Sequence, residues 1–82
     1  MVEELQELVL ALVRGLVDDQ TAVRVRDRRA GPAGRIEIEI HVAPEDRGRV
    51  IGRHGQTVEA LRRVVREGAR RRGLRCRLEV AS

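Results

Sequence analysis

Phenylalanine, tyrosine, tryptophan and lysine are absent from the 82 residues, and cysteine, methionine and serine occur once each. Without aromatic rings the chain cannot hold nucleobases by stacking them on side-chain rings, as RRM and OB-fold proteins do. A nucleic-acid surface would have to be made of aliphatic side chains, backbone and arginine. Without lysine there is no Gly-x-x-x-x-Gly-Lys-Ser/Thr phosphate loop. Cys76 has no second cysteine to pair with and no nearby histidine to share a metal. Its place in Leu74-Arg75-Cys76-Arg77-Leu78 predicts a buried small hydrophobe. The only serine is Ser82, and neither His41 nor His54 stands at a spacing that completes a catalytic or metal-binding set, so neither an enzyme nor a cofactor is expected. No apolar run is long enough to cross a bilayer, and there is no secretory-signal pattern or disulfide framework. The expected location is the cytoplasm, with no membrane partner.

What is present is arginine. All 17 basic residues are of this type, against 13 acids, for a formal charge of +4. The balance is uneven along the chain: residues 1–46 hold 6 arginines and 10 acids, residues 47–82 hold 11 arginines and 3 acids. Such a basic half suits a polyanionic partner.

At this length one domain with one core is expected, spanning 1–82. Leu5, Leu8, Val9, Leu12, Val13 and Leu16 recur at helical spacing and predict a helix over 3–17. Residues 21–26 alternate as a strand, and Arg35 to Val42 alternates more strictly, with Ile36, Ile38, Ile40 and Val42 facing inward. Asp27 to Gly34, containing Gly31-Pro32-Ala33-Gly34, reads as the turn joining the two strands in an antiparallel hairpin. Pro44-Glu45-Asp46 opens a short helix running to about Ile51, with its acids placed for the helix dipole. A longer helix is predicted over 56–72, with Val58, Leu61, Val64, Val65 and Ala69 inward and Gly73 as its C-terminal cap. Leu74 to Val80 alternates as the last strand. The fold class is α+β, in the order α-β-β-α-α-β, with three helices on one face of a three-stranded sheet.

Between the second and third helices lies Gly52-Arg53-His54-Gly55. Glycines allow a sharp turn and close approach to a phosphate, while the following helix directs its partly positive end at the same place. Gly31-Pro32-Ala33-Gly34 matches the same pattern, but it has no basic centre and leads into no helix. The segment Arg49-Val50-Ile51-Gly52-Arg53-His54-Gly55-Gln56-Thr57-Val58-Glu59-Ala60-Leu61-Arg62, with the element order, resembles a KH domain of type II. At this free-standing length the chain is similar to the small bacterial KH-domain RNA-binding protein A (KhpA) family.

The resemblance implies single-stranded RNA, or single-stranded DNA, held by its backbone over about four nucleotides. It makes Gly52 and Gly55 the clamp glycines and Arg53 and His54 the phosphate-facing pair. Val50, Ile51 and Val58 become groove wall or underlying core, Gln56 and Thr57 candidates for sugar or phosphate, and Arg49 and Arg62 flanking charges. It further implies an RNA-chaperone role and a homodimer, or a heterodimer with a larger Jag-type KH protein (KhpB), in a complex linked to cell elongation and cell-wall homeostasis. His54 stands where the family more often has lysine, glutamine or glycine. The competing reading is a protein-interaction module that dimerises or docks a partner, with RNA contact incidental.

Overall fold

The computed structural model describes residues 2–29 and 35–81. The elements are α1 (Val2–Arg14), β1 (Arg24–Arg29), β2 (Arg35–His41), α2 (Arg47–Ile51), α3 (Gln56–Arg71) and β3 (Arg75–Val80), with single 3-10 turns at Gln20–Ala22, Pro44–Asp46 and Arg53–Gly55. The sheet runs β1-β2-β3; β1 pairs with β2 antiparallel and β2 with β3 parallel. The parallel pair needs a crossover, and α2 and α3 supply it. This is the α+β arrangement of a type II KH domain.

Alternation decides the sheet's faces. Ile36, Ile38 and Ile40 of β2 are at most 2% exposed and meet Leu5, Val9 and Val13 of α1 and Leu61, Val65 and Ala69 of α3 in one core. Arg24, Arg26 and Arg28 and the acids Glu37 and Glu39 alternate with inward positions, and the open face carries ion pairs such as Arg28–Glu37 at 2.8 Å. Cys76 is half-buried against the core, and burial pushes its thiol up to about 11.

Three boundaries or faces differ from the sequence expectation. α1 stops at Arg14 instead of residue 17, although Leu16 and Val17 still pack inward as the chain turns. β1 lies at Arg24–Arg29, so Asp27, Arg28 and Arg29 belong to the strand and not to the turn; pairing with Ile38, Glu37 and Ile36 outweighs their poor strand propensity. The Gly31-Pro32-Ala33-Gly34 turn lies outside the described residues. Val64, expected inward, is 47% exposed on the flank of α3. Gly73 does cap α3: with φ at 71° it forms a Schellman motif, Gly73 N–H donating to Arg70 O at 3.0 Å and Leu74 N–H to Ala69 O at 2.8 Å.

Asp46, an acid of the expected helix start, is only 3% exposed. Its carboxylate accepts the backbone N–H groups of Asp18 at 3.1 Å and Asp19 at 3.0 Å, fastening the α1–β1 connection to the base of α2. The Asp19 bond, then the Asp18 bond, hold its carboxyl below the ordinary value of 3.8, with Arg49 adding to them against the cost of burial. A lowered native pKa gives stability that is present above the ordinary value and lost as pH falls through the lowered one. Asp46→Ala should therefore lower Tm at pH 7, with the gap to wild type closing as pH falls below about 4. Thermal melts across that range check this; a gap independent of pH would remove the carboxylate from the explanation.

Candidate nucleic-acid interface

The turn between α2 and α3 is built from residues in the left-handed half of backbone space: Gly52 at φ 77°, ψ 170°, His54 at φ 57°, ψ 23° and Gly55 at φ 73°, ψ 14°. The two glycines are needed for different reasons. A Cβ on Gly52 would stand 2.1 Å from Thr57 Oγ1 and 2.8 Å from the Thr57 nitrogen, because the first turn of α3 presses against it. A Cβ on Gly55 would meet nothing within 4 Å, so there only the backbone angle calls for glycine. Histidine is among the few side-chain residues enriched at positive φ, which gives a conformational reason for His54.

The N–H groups of Gly52 and Gly55 are occupied by Gly48 O at 2.8 Å and Gly52 O at 3.1 Å. Those of Arg53 and His54 have no backbone acceptor among the described residues. Both side chains are exposed, and Arg53 has no carboxylate partner among those residues. An uncommitted guanidinium, two backbone donors and the N-terminus of the 16-residue α3 thus share one exposed turn. That combination is chemically suited to an anion.

The other candidates divide. Val50 at 0% and Val58 at 6% exposure are buried and serve packing, while Ile51 is half-buried. Gln56 is exposed at the start of α3. Thr57 packs against Gly52 and faces α1, lining an apolar groove with Leu12, Leu16, Ala60, Leu61 and Val64. Arg49 is drawn into carboxylates, Asp18 at 3.0 Å and Asp46 at 3.6 Å, which offset its charge.

Arg62 spans from α3 to β3, donating from Nε to Leu78 O at 3.2 Å and pairing with Glu59 at 2.6 Å and more distantly with Glu79 at 3.9 Å. Its planar group is fixed and 31% exposed. Sequence reasoning missed that Arg66, Arg75, Arg77 and Arg35 converge with Arg62 on one cleft along α3 and β3. The available signal was the spacing of Arg62 and Arg66 on one helix face together with the alternating arginines of the last strand. It missed Arg47 too, whose Nε donates to Ala81 O at 3.0 Å beside the end of β3.

A family profile described as KhpA/KhpB, KH domain matches residues 6–80. An RNA-binding protein KhpA of Halalkalibacterium halodurans is 38% identical over 76 residues, covering 93% of this chain and 97% of that one. One of Mycobacterium bovis is 50% identical over 64 residues, covering 78% and 76%. One of Streptomyces coelicolor is 43% identical over 61 residues, covering 74% and 75%.

Proposed function

The chain belongs to the KhpA/KhpB KH-domain family, and from that premise we propose that it binds single-stranded RNA by its backbone, at the Gly52–Gly55 turn. The observation that carries this is the turn itself. Arg53 and His54 stand exposed with unspent N–H groups at the start of α3, held by two glycines that no larger residue replaces without strain. Arg53 supplies charge that does not depend on pH, the backbone N–H groups supply direction, and the glycines supply access. Gln56 and Arg62 flank the path of the strand, and Ile51 lies beneath it; single-stranded DNA differs only in the 2′-hydroxyl and is the natural comparison ligand.

A few phosphate contacts give modest affinity, so a second copy or a second KH domain on the same RNA would raise it through effective concentration. The apolar groove between α1 and α3, with Val64 exposed at its rim, favours such docking. The partner is a second copy of this chain or a larger Jag-type KH protein (KhpB). With it the protein acts in the cytoplasm as a small RNA-binding and RNA-chaperone factor in post-transcriptional control linked to cell elongation and cell-wall homeostasis.

The test is titration of a fluorescein-labelled single-stranded RNA pool with wild type and with the Arg53→Asp/His54→Asp variant, at two salt concentrations. Two carboxylates beside a phosphate are repulsive, and both positions are exposed, so the variant should fold and bind at least about tenfold more weakly. Equal affinity of the two proteins would reject the clamp and leave docking as the principal activity.

A further inference from the structure

We infer that the free edge of β1 accepts an added strand, an extended segment of a partner protein in which aliphatic and acidic residues alternate. β1 is the outer strand on the side of the sheet away from β3, and α1 is the helix packed against it, so this surface is separate from the Gly52–Gly55 turn. β2 occupies one edge of β1 in continuous register from Arg24 to Arg29. The other edge makes no backbone hydrogen bond among the described residues. A strand so placed turns alternate N–H and C=O groups outward, ready to pair.

The chemistry of the occupant can be read from the strand that β1 already holds. β2 runs Ile36-Glu37-Ile38-Glu39-Ile40; its isoleucines face the core, and its glutamates stand opposite Arg28 and Arg26 on the open face of the sheet. Side chains of β1 on that face stand beside whatever strand lies on either edge. Arg28 is paired with Glu37 at 2.8 Å, but Arg26 has no carboxylate within 4.0 Å among the described residues. Its charge is left for an acid on the free side. On the inner face, an added strand would run under the flank of α1, where a groove of about 410 Å³ lies between Glu7 and Leu10 of α1 and Val23 and Val25 of β1. Leu10 and Val25 are half-buried and offer an aliphatic floor. Every second side chain of the added strand reaches that floor, and the intervening acids reach Arg26 and its neighbours.

A second copy of this chain is the wrong occupant. Laid antiparallel against its own copy in the registers centred on Arg26 or Asp27, β1 sets arginine against arginine on the open face, which is destabilising. Charge of one sign keeps an exposed edge from joining its like. The same arginines admit a strand of opposite sign, so the edge discriminates between partners by charge. Main-chain hydrogen bonds then supply affinity, and the alternation of side chains supplies specificity.

The probe is the end-blocked synthetic peptide Ser-Glu-Val-Glu-Val-Glu-Val-Ser, titrated into isotope-labelled protein and followed by NMR. Its controls are the lysine counterpart Ser-Lys-Val-Lys-Val-Lys-Val-Ser and the block-ordered Ser-Glu-Glu-Glu-Val-Val-Val-Ser. The alternating acidic peptide should shift the resonances of β1 and Leu10 and slow exchange of the outward half of the β1 amides by at least about tenfold. Both controls should bind at least about tenfold more weakly. Arg26→Gln/Arg28→Gln changes two exposed positions, and a thermal melt confirms that it folds; it should weaken the alternating peptide by about fivefold. Arg53→Asp/His54→Asp should bind the peptide as wild type does, whatever its hold on RNA. Equal binding of the block-ordered peptide would reduce the edge to a patch of charge. Displacement of the peptide from β1 by single-stranded RNA would assign the surface to nucleic acid. Either result, or β1 amides left unprotected at millimolar peptide, overturns the added strand.

Discussion

Gly52→Ala is expected to abolish RNA binding and to lower Tm by more than about 10 °C, whereas Gly55→Ala should keep binding and lower Tm by a smaller amount. Both glycines have positive φ, so a rule that treats them alike predicts equal effects. The difference lies in ψ and in space. Gly52 at φ 77°, ψ 170° occupies a region that is essentially reserved for glycine, at a cost of about 1 to 3 kcal/mol for anything else. Gly55 at φ 73°, ψ 14° is in the ordinary left-handed well, where alanine costs about 1 to 2 kcal/mol.

Contact adds to the first and not to the second. An alanine Cβ at position 52 would overlap Thr57 Oγ1, Cβ and backbone nitrogen at 2.1, 2.6 and 2.8 Å. Rotating the threonine relieves the first overlap only. The nitrogen belongs to the first turn of α3, so relief requires the helix start to move away from α2 and takes Arg53 and His54 with it. Gly52→Ala/Thr57→Ala should therefore remain unable to bind RNA. Chemical-shift mapping separates lost geometry from lost folding, since α1 and β1 resonances should stay in place while those of residues 50–58 move. Restored binding in the double variant would assign the close approach to the hydroxyl alone.

Much of this architecture is legible in the sequence, and the exceptions share a physical origin. β2 could be read because Ile36, Ile38 and Ile40 alternate strictly in a central strand, where one register alone buries them. The Gly52–Gly55 turn could be read as a turn because glycine spacing, basic centre and flanking helices coincide locally. Asp27, Arg28 and Arg29 could not be assigned to β1, because nothing local to them prefers a strand; the partner is β2, on the far side of the turn. Asp46 reads as a dipole-stabilising acid at a helix start, and only the fold of the α1–β1 connection over it makes it a buried acceptor. Likewise, the arginine surplus after residue 46 was visible, but the meeting of Arg35 with Arg75 joins positions forty residues apart through a parallel register. The candidate site thus divides into a local part, the turn, which sequence reveals, and a non-local part, the cleft, which needs the fold.

Ile38→Asp and Val64→Asp turn the same distinction into opposite expected outcomes. Both residues are apolar and both fit an inward periodic position, yet Ile38 is 0% exposed in the central strand and Val64 is 47% exposed on the rim of the α1–α3 groove. At position 38 an aspartate loses the transfer energy of a buried isoleucine, about 1.5 to 3 kcal/mol, and places a carboxylate among apolar side chains with no cation to pair with. Together these reach several kcal/mol, comparable with the ~4 to 12 kcal/mol that a chain of this size has in total. The variant should show no cooperative melt above 25 °C. At position 64 the aspartate stays hydrated at the exposed rim, and its nearest carboxylate along the helix, Glu67, is already engaged by Arg70 and Arg71, so Tm should change by less than about 5 °C. Circular dichroism melts of the two proteins decide the matter. A cooperative Ile38→Asp transition near the wild-type temperature would mean that β2 turns its other face to the helices. A collapse of Val64→Asp would mean that the α1–α3 groove is closed in solution by packing that the isolated chain does not have.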